Sequence, residues 1–305
     1  MSQILTGSDL HKSFGPTEAL RGASIGLGEG EIVAVVGPSG SGKSTLLHCL
    51  AGILTPDSGE VDLAGRRIDD LPDRERAHLR RSVFGFVFQF GQLVPELPAV
   101  ENVALPLLLA GRRRKHALAA AAPWLSRLGL DGLGDRLPGE LSGGQSQRVA
   151  VARALVACPT VVFADEPTGS LDSVAADEVT ELLVDASREQ GTSVLVVTHE
   201  ARVAAYADRT VMVGDGVDAL RAGSWGRNVL SCLQPPARHR VVLRYEGLVR
   251  RPAETVRRAM ATDNTPPWRC WATESADGSR TRGDPIAADR RRTRGGTAGP
   301  SCDRR

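Results

Sequence analysis

The chain has 305 residues, 41% of them hydrophobic, 24% charged and 4% aromatic, with a formal net charge of +2. That balance suits one large or two modest cores and excludes a collagen-like, coiled-coil or secreted disulfide scaffold. The five cysteines (Cys49, Cys158, Cys232, Cys270, Cys302) lack paired spacing, which argues against a zinc site or disulfide framework and for a reducing compartment.

Apolar runs such as Ala104 to Ala110 fall far short of the ~20 residues a membrane-crossing helix needs, and Met1 to Leu20 has no apolar signal core, so any membrane role is expected to come through a partner. Taken in chain order, "ALRGASIGLGEGE" is glycine-rich with weak alternation and predicts short antiparallel strands. "EIVAVV" (Glu31 to Val36) is a β-branched run ended by glycine, as a buried parallel strand would be. A helix is predicted from Lys43 to Ala51, stopped by Gly52. From Val100 to Leu137 the pattern turns leucine- and alanine-rich, predicting an inserted helical subdomain at about residues 90–140.

Further on, helices are predicted over Ser142 to Ala157, before Pro159, and over Asp177 to Gln190, before Gly191; strands are predicted over Thr160 to Asp165 and Thr192 to His199. Strands alternating with helices give an α/β fold with a mostly parallel core sheet, an antiparallel β subdomain and the helical insertion.

"GPSGSGKST" comprises Gly37, Pro38, Ser39, Gly40, Ser41, Gly42, Lys43, Ser44 and Thr45; it follows a buried strand and opens a helix. That is the context of a phosphate loop: glycines let backbone N–H groups wrap a phosphate, the helix N-terminus adds partial positive charge, Lys43 offsets the β- and γ-phosphates and the Ser44 hydroxyl ligates Mg2+. Asp165 and Glu166 end "VVFADE", where the first can hold Mg2+ and the second can polarise an attacking water. A second glycine pair, Gly143 and Gly144, sits in "LSGGQ" (Leu141 to Gln145) at the start of another helix, with no lysine nearby.

The phosphate loop, Gln89 in "FVFQF", LSGGQ, Asp165-Glu166, "SLDS" (Ser170 to Ser173) and His199, in that order, resemble the ATP-binding subunit of an ABC transporter over about residues 3–217. The resemblance implies a P-loop NTPase fold and an ATPase that uses ATP and Mg2+. It also implies a head-to-tail dimer of ATP-binding subunits, identical or related, in which Ser142, Gly143, Gly144 and Gln145 close over the γ-phosphate held by the other subunit. Gln89 then corresponds to the loop glutamine at Mg2+ and the attacking water, His199 to the switch histidine and Asp172 to the acidic residue bridging the dimer. Phe14 corresponds to the aromatic that stacks on adenine.

"PSGSGKSTLLHCLAGILTPDSGEV", "PAVENVALPLLLAG" and "ADEPTGSLDS" resemble the exporter branch that includes macrolide-efflux, lipoprotein-releasing and cell-division ATPases. The resemblance implies a separate integral membrane permease, a peripheral position on the cytoplasmic face of the membrane and no specific nucleic acid. "QFGQLVPEL" after Gln89, Ser146 in place of a second glutamine, and Glu200 in place of aspartate depart from the branch's pattern. Two alternatives are a soluble ABC ATPase of translation or DNA maintenance and a cassette impaired by its C-terminus. The first would carry paired cassettes or long heptad coiled coils, which this chain lacks.

Charge divides the chain near Leu220: residues 1–220 carry a net −8, residues 221–305 a net +10, and every basic residue of the second part is arginine. That part shows no sustained apolar period, which predicts a disordered extension; a basic arm for membrane or nucleic acid is the alternative. His239 to Met260 also resembles a strand and helix of bacterial sulfotransferases, without their nucleotide loop. The run Arg112 to Lys115 reads as a solvated helix face, or as a patch against anionic lipid headgroups.

Overall fold

The computed structural model describes residues 2–214. The boundary near Leu220, the arginine-rich extension and the sulfotransferase-like stretch lie outside them. In chain order the elements are β1 (Gln3–Phe14), β2 (Thr17–Gly28), β3 (Ile32–Val36), α1 (Lys43–Leu50), β4 (Ser58–Leu63), β5 (Arg66–Arg67), α2 (Asp73–Ser82) and β6 (Phe84–Phe88). Then come α3 (Ala99–Leu109), α4 (Arg114–Arg127), a short 3-10 turn at Pro138–Glu140, α5 (Gly143–Leu155), β7 (Val161–Asp165), α6 (Ser173–Gln190), β8 (Ser193–Val197), α7 (Ala201–Ala204) and β9 (Arg209–Met212).

Two sheets form. β2, β1, β4 and β5 make a four-stranded antiparallel sheet, whereas β6, β7, β8, β3 and β9, in that order, make a parallel one. The strands of the parallel sheet are five residues or fewer and rich in valine, and side chains alternate between its faces. Val161 and Phe163 of β7 therefore join Val33, Val35, Leu195 and Val197 in one core with the antiparallel sheet and α1. Val162 and Ala164 join Ala34, Val194 and Val196 in a second core under α3, α4, α5 and α6. Both faces of the sheet are covered, which is why its strands read as continuous apolar runs.

The predicted strands and helices fall where expected to within two residues, with two exceptions. α6 starts four residues ahead of the expected Asp177, because the Asp172 carboxylate accepts from the N–H groups of Val174 and Ala175 and caps the helix. The antiparallel strands are not short: β1 and β2 have 12 residues each, paired through a register with several shifts.

Candidate functional site

Register sets the site before any side chain does. Phe88 pairs with Asp165, Asp165 with Val197, and Val35 with Val197, so β6, β7, β8 and β3 end together. Gln89, Glu166 and the Gly37–Thr45 loop begin directly beyond those ends, and His199 lies two residues past the end of β8. In open parallel sheets this carboxyl edge is where ligands bind.

The loop between β3 and α1 is fixed by its glycines. Gly42 precedes α1 with φ 90°, and a Cβ there would lie 2.2 Å from the Ala19 carbonyl; at Gly37 it would lie 2.2 Å from that of Val213. No residue with a side chain fits either place. Pro38, Ser39 and Gly40 are exposed, whereas Ser41 is buried and its hydroxyl has no hydrogen-bond partner. Lys43 is buried within the loop, its Nζ donating to the carbonyls of Gly37 (3.0 Å) and Pro38 (2.7 Å). Ser44 and Thr45 follow in the first turn of α1, where free N–H groups and the helix dipole favour an anion.

Ser44 Oγ donates to Asp165 Oδ1 at 3.0 Å across 121 residues of sequence. Burial raises the pKa of Asp165, while the Ser44 hydrogen bond pulls it the other way. A hydroxyl and a carboxylate at this spacing are hard oxygen donors of the kind Mg2+ takes, so the residues fit that ion.

Glu166 leaves β7 with φ 46°, a left-handed conformation rare for a residue with a side chain, while its N–H donates to the Val197 carbonyl. Its Oε2 lies 2.9 Å from His199 Nδ1. That bond raises the pKa of His199, with the Glu166 charge reinforcing it. Glu200, one residue on, accepts from the hydroxyl of buried Thr168 at 3.1 Å and from Arg202, tying the His199 loop to the segment after Glu166. Sequence reasoning singled out Glu200 only as a departure and did not reach Thr168, since nothing local couples residues 32 apart.

Gln89 packs against Gly169, and its carbonyl accepts from Ser170 Oγ at 3.0 Å. Across the loop, Gln147 Nε2 donates to the Phe88 carbonyl, and Arg153 donates to those of Gly91 and Gln92. Neither Gln147 nor Arg153 was singled out from sequence, because a glutamine and an arginine in an alanine-rich helix read as its polar face.

Ser142 caps α5: its hydroxyl accepts from the Gln145 N–H at 3.2 Å, and Gln145 Oε1 accepts from the Ser142 N–H at 2.9 Å. This reciprocal pair leaves the N–H groups of Gly143 and Gly144 as the unused helix donors. Ser142 and Gly143 are exposed, while Gly144 lies against Ala175 of α6, just past Asp172. Phe14, at the end of β1, is 50% exposed with Lys12 Nζ 5.9 Å from its ring, so it is an available flat face and not a core residue.

A doubly covered parallel sheet, a glycine loop feeding a helix, and a hydroxyl–carboxylate pair at the next strand end define a P-loop nucleotide-binding protein. The ABC transporter family model matches residues 20–169. The lipoprotein-releasing system ATP-binding protein LolD of Porphyromonas gingivalis is 45% identical over 214 residues, covering 70% of this chain and 98% of that one. LolD of Geobacter metallireducens is 46% identical over 220 residues, covering 71% and 98%. Among solved structures, the ATP-binding cassette MJ0796, dimeric and bound to ADP and Pi, matches at 37% identity with a TM-score of 0.64, over 70% of this chain and 95% of that one. The chain therefore belongs to the ABC transporter family, as an ATP-binding and ATP-hydrolysing subunit. Among the described residues no helix is long and apolar enough to cross a membrane.

Proposed function

We propose that two cassettes of this kind, identical or related, sandwich two ATP molecules and that their closing and opening drives a separate membrane permease. The observation that carries the reading is the strand-end cluster in which Ser44 bonds Asp165 and Glu166 bonds His199, beside a phosphate loop holding Lys43. In this reading Gly37 to Thr45 hold the phosphates and Phe14 supports the adenine. Glu166 takes the proton of the attacking water while His199 orients Glu166, and Gln89 steadies that water. Ser44, Asp165 and Gln89 would hold Mg2+, which supplies charge compensation at the phosphates.

The exposed end of α5 at Ser142 to Gln145 has free N–H groups and no cation of its own, as suits a phosphate brought by another molecule. Asp172 borders that surface. The dimeric MJ0796 cassette supports the arrangement, and LolD supports a lipoprotein-releasing or related exporter with the chain peripheral on the cytoplasmic face of the membrane.

Glu166→Gln is the decisive variant. ATP binding should persist, turnover should nearly vanish, and a dimer should accumulate on ATP addition by size-exclusion chromatography with light scattering. A monomeric, fully active Glu166→Gln protein refutes the reading. Ser142→Phe in the same background should bind ATP and fail to dimerise.

A further inference from the structure

The segment carrying Gln89 is suspended between two partners. On one side the Ser170 hydroxyl donates to the Gln89 carbonyl. On the other, one face of α5 grips the backbone around it: Gln147, 2% exposed, donates to Phe88 O at 2.8 Å, and Arg153 donates to Gly91 O at 2.6 Å and Gln92 O at 2.8 Å. Between these grips Gly91 lies close along Ser146, Gln147 and Ala150. Farther on, buried Asn102 of α3 accepts from the Val94 N–H and donates to the carbonyls of Val94 and Leu97, so the loop is also anchored to α3.

Arg153 is an unusual choice for this task. Among the described residues no carboxylate lies within ion-pair distance of it. Its pKa is lowered by burial. Arg153 is half-buried, and a cation partly removed from water with no counter-charge is costly. What it gains is geometric: the rigid planar fork can hold two successive carbonyls in one fixed relation, which a lysine's single ammonium does poorly. Ser142, which caps the start of the same helix, lies 11 residues before Arg153, about 16 Å away at helical rise.

We infer that Arg153 is a positioning residue that transmits displacement of the Ser142 end of α5 to the Gln89 loop, so that closure on one nucleotide adjusts the water-orienting glutamine at the other. The inference rests on the sandwich dimer proposed above. α5 moves as a rod, and because the Phe88, Gly91 and Gln92 carbonyls are bonded to it, the loop follows. Contact of Ser142 with the partner's γ-phosphate is thereby registered at the chain's own site, and the two sites fire cooperatively.

The test uses the full chain. ATP hydrolysis is measured against ATP concentration for wild type, Arg153→Met and Arg153→Lys, and nucleotide affinity is read separately with a fluorescent ATP analogue. In Arg153→Met, turnover should fall about 10–100-fold through misplacement of the loop, with nucleotide affinity held to within about twofold. The ATP dependence should lose its sigmoid form, and Arg153→Lys should recover part of both. A folded Arg153→Met protein with wild-type turnover and cooperativity overturns the inference. So does a loss shared equally by affinity and turnover that lysine does not relieve.

Should Arg153→Met not fold, hydrogen exchange in the Glu166→Gln background decides. On ATP addition the amides of residues 88–93 and 142–147 should gain protection together, and Arg153→Lys should separate the two responses. Protection at 142–147 with none at 88–93 defeats the inference and leaves the dimer standing. Protection at neither, with Glu166→Gln still monomeric, defeats both.

Discussion

His199 Nδ1 lies 2.9 Å from Glu166 Oε2, joining the ends of β8 and β7 across 33 residues of sequence. Glu166 makes this bond from a left-handed backbone, with φ 46°. The bond also makes the histidine a reporter. The His199 ring should titrate above its usual 6.5 in the wild type and fall back towards it in Glu166→Gln, read by NMR of the ring protons. The associated stabilisation is fully present below pH 6.5 and is lost as pH rises through the raised pKa; it is small because the ring is 60% exposed. Identical titration in both proteins would show that the bond does not form in solution.

Asp165 should show the same direction of pH dependence from a different cause. Burial raises its pKa from the usual 3.8, so its contribution to stability is lost as pH rises from 3.8 through the raised value. At neutral pH, without nucleotide, Asp165→Asn should therefore melt no lower than wild type. The extra protection that Mg-ATP gives over ATP with chelator should be largely gone from the variant, as differential scanning fluorimetry would register. Retention of the full Mg2+ increment would remove Asp165 from the metal's surroundings.

The glycines of the phosphate loop should differ in what they tolerate. Gly40 and Gly42 both have left-handed φ, at 80° and 90°, but a Cβ at Gly40 meets nothing within 4 Å while one at Gly42 meets the Ala19 carbonyl at 2.2 Å. Gly40→Ala should cost about 1–2 kcal/mol from backbone conformation alone. Gly42→Ala should cost about 2–4 kcal/mol, since backbone must also shift. Urea unfolding of both variants gives the comparison, and equal costs would contradict the close approach.

The cap that Asp172 supplies can be separated from its proposed role at the dimer surface. Its carboxylate caps α6, so Asp172→Ala should lose about 1 kcal/mol of stability. Asp172→Ser keeps a capping oxygen and should restore stability while still weakening ATP-driven dimerisation of the Glu166→Gln protein. Full dimerisation of Asp172→Ser would leave the residue as a cap alone.

Most of the site's vocabulary was readable because its words are contiguous. "GPSGSGKST" after a β-branched run and "LSGGQ" at a helix start each carry their own backbone demand and chemistry in adjacent residues. The start of α6 was misjudged because the Asp172 cap precedes exposed Val174, which breaks the apolar pattern expected of a helix. The long antiparallel strands were underestimated because their glycines weaken alternation, while irregular register between β1 and β2 absorbs them.

What the amino-acid order determined by itself was which groups are present and which backbone turns they need, since those are properties of a few neighbouring residues. What the tertiary structure decided was who meets whom: Ser44 with Asp165, Glu166 with His199, and Arg153 with the carbonyls beyond Gln89. These pairs lie 33 to 121 residues apart, and their hydrogen bonds exist only because parallel pairing in the order β6, β7, β8, β3 brings the strand ends level. No local sequence signal carries that order; it follows from how the helices between the strands cross over and pack on both faces of the sheet.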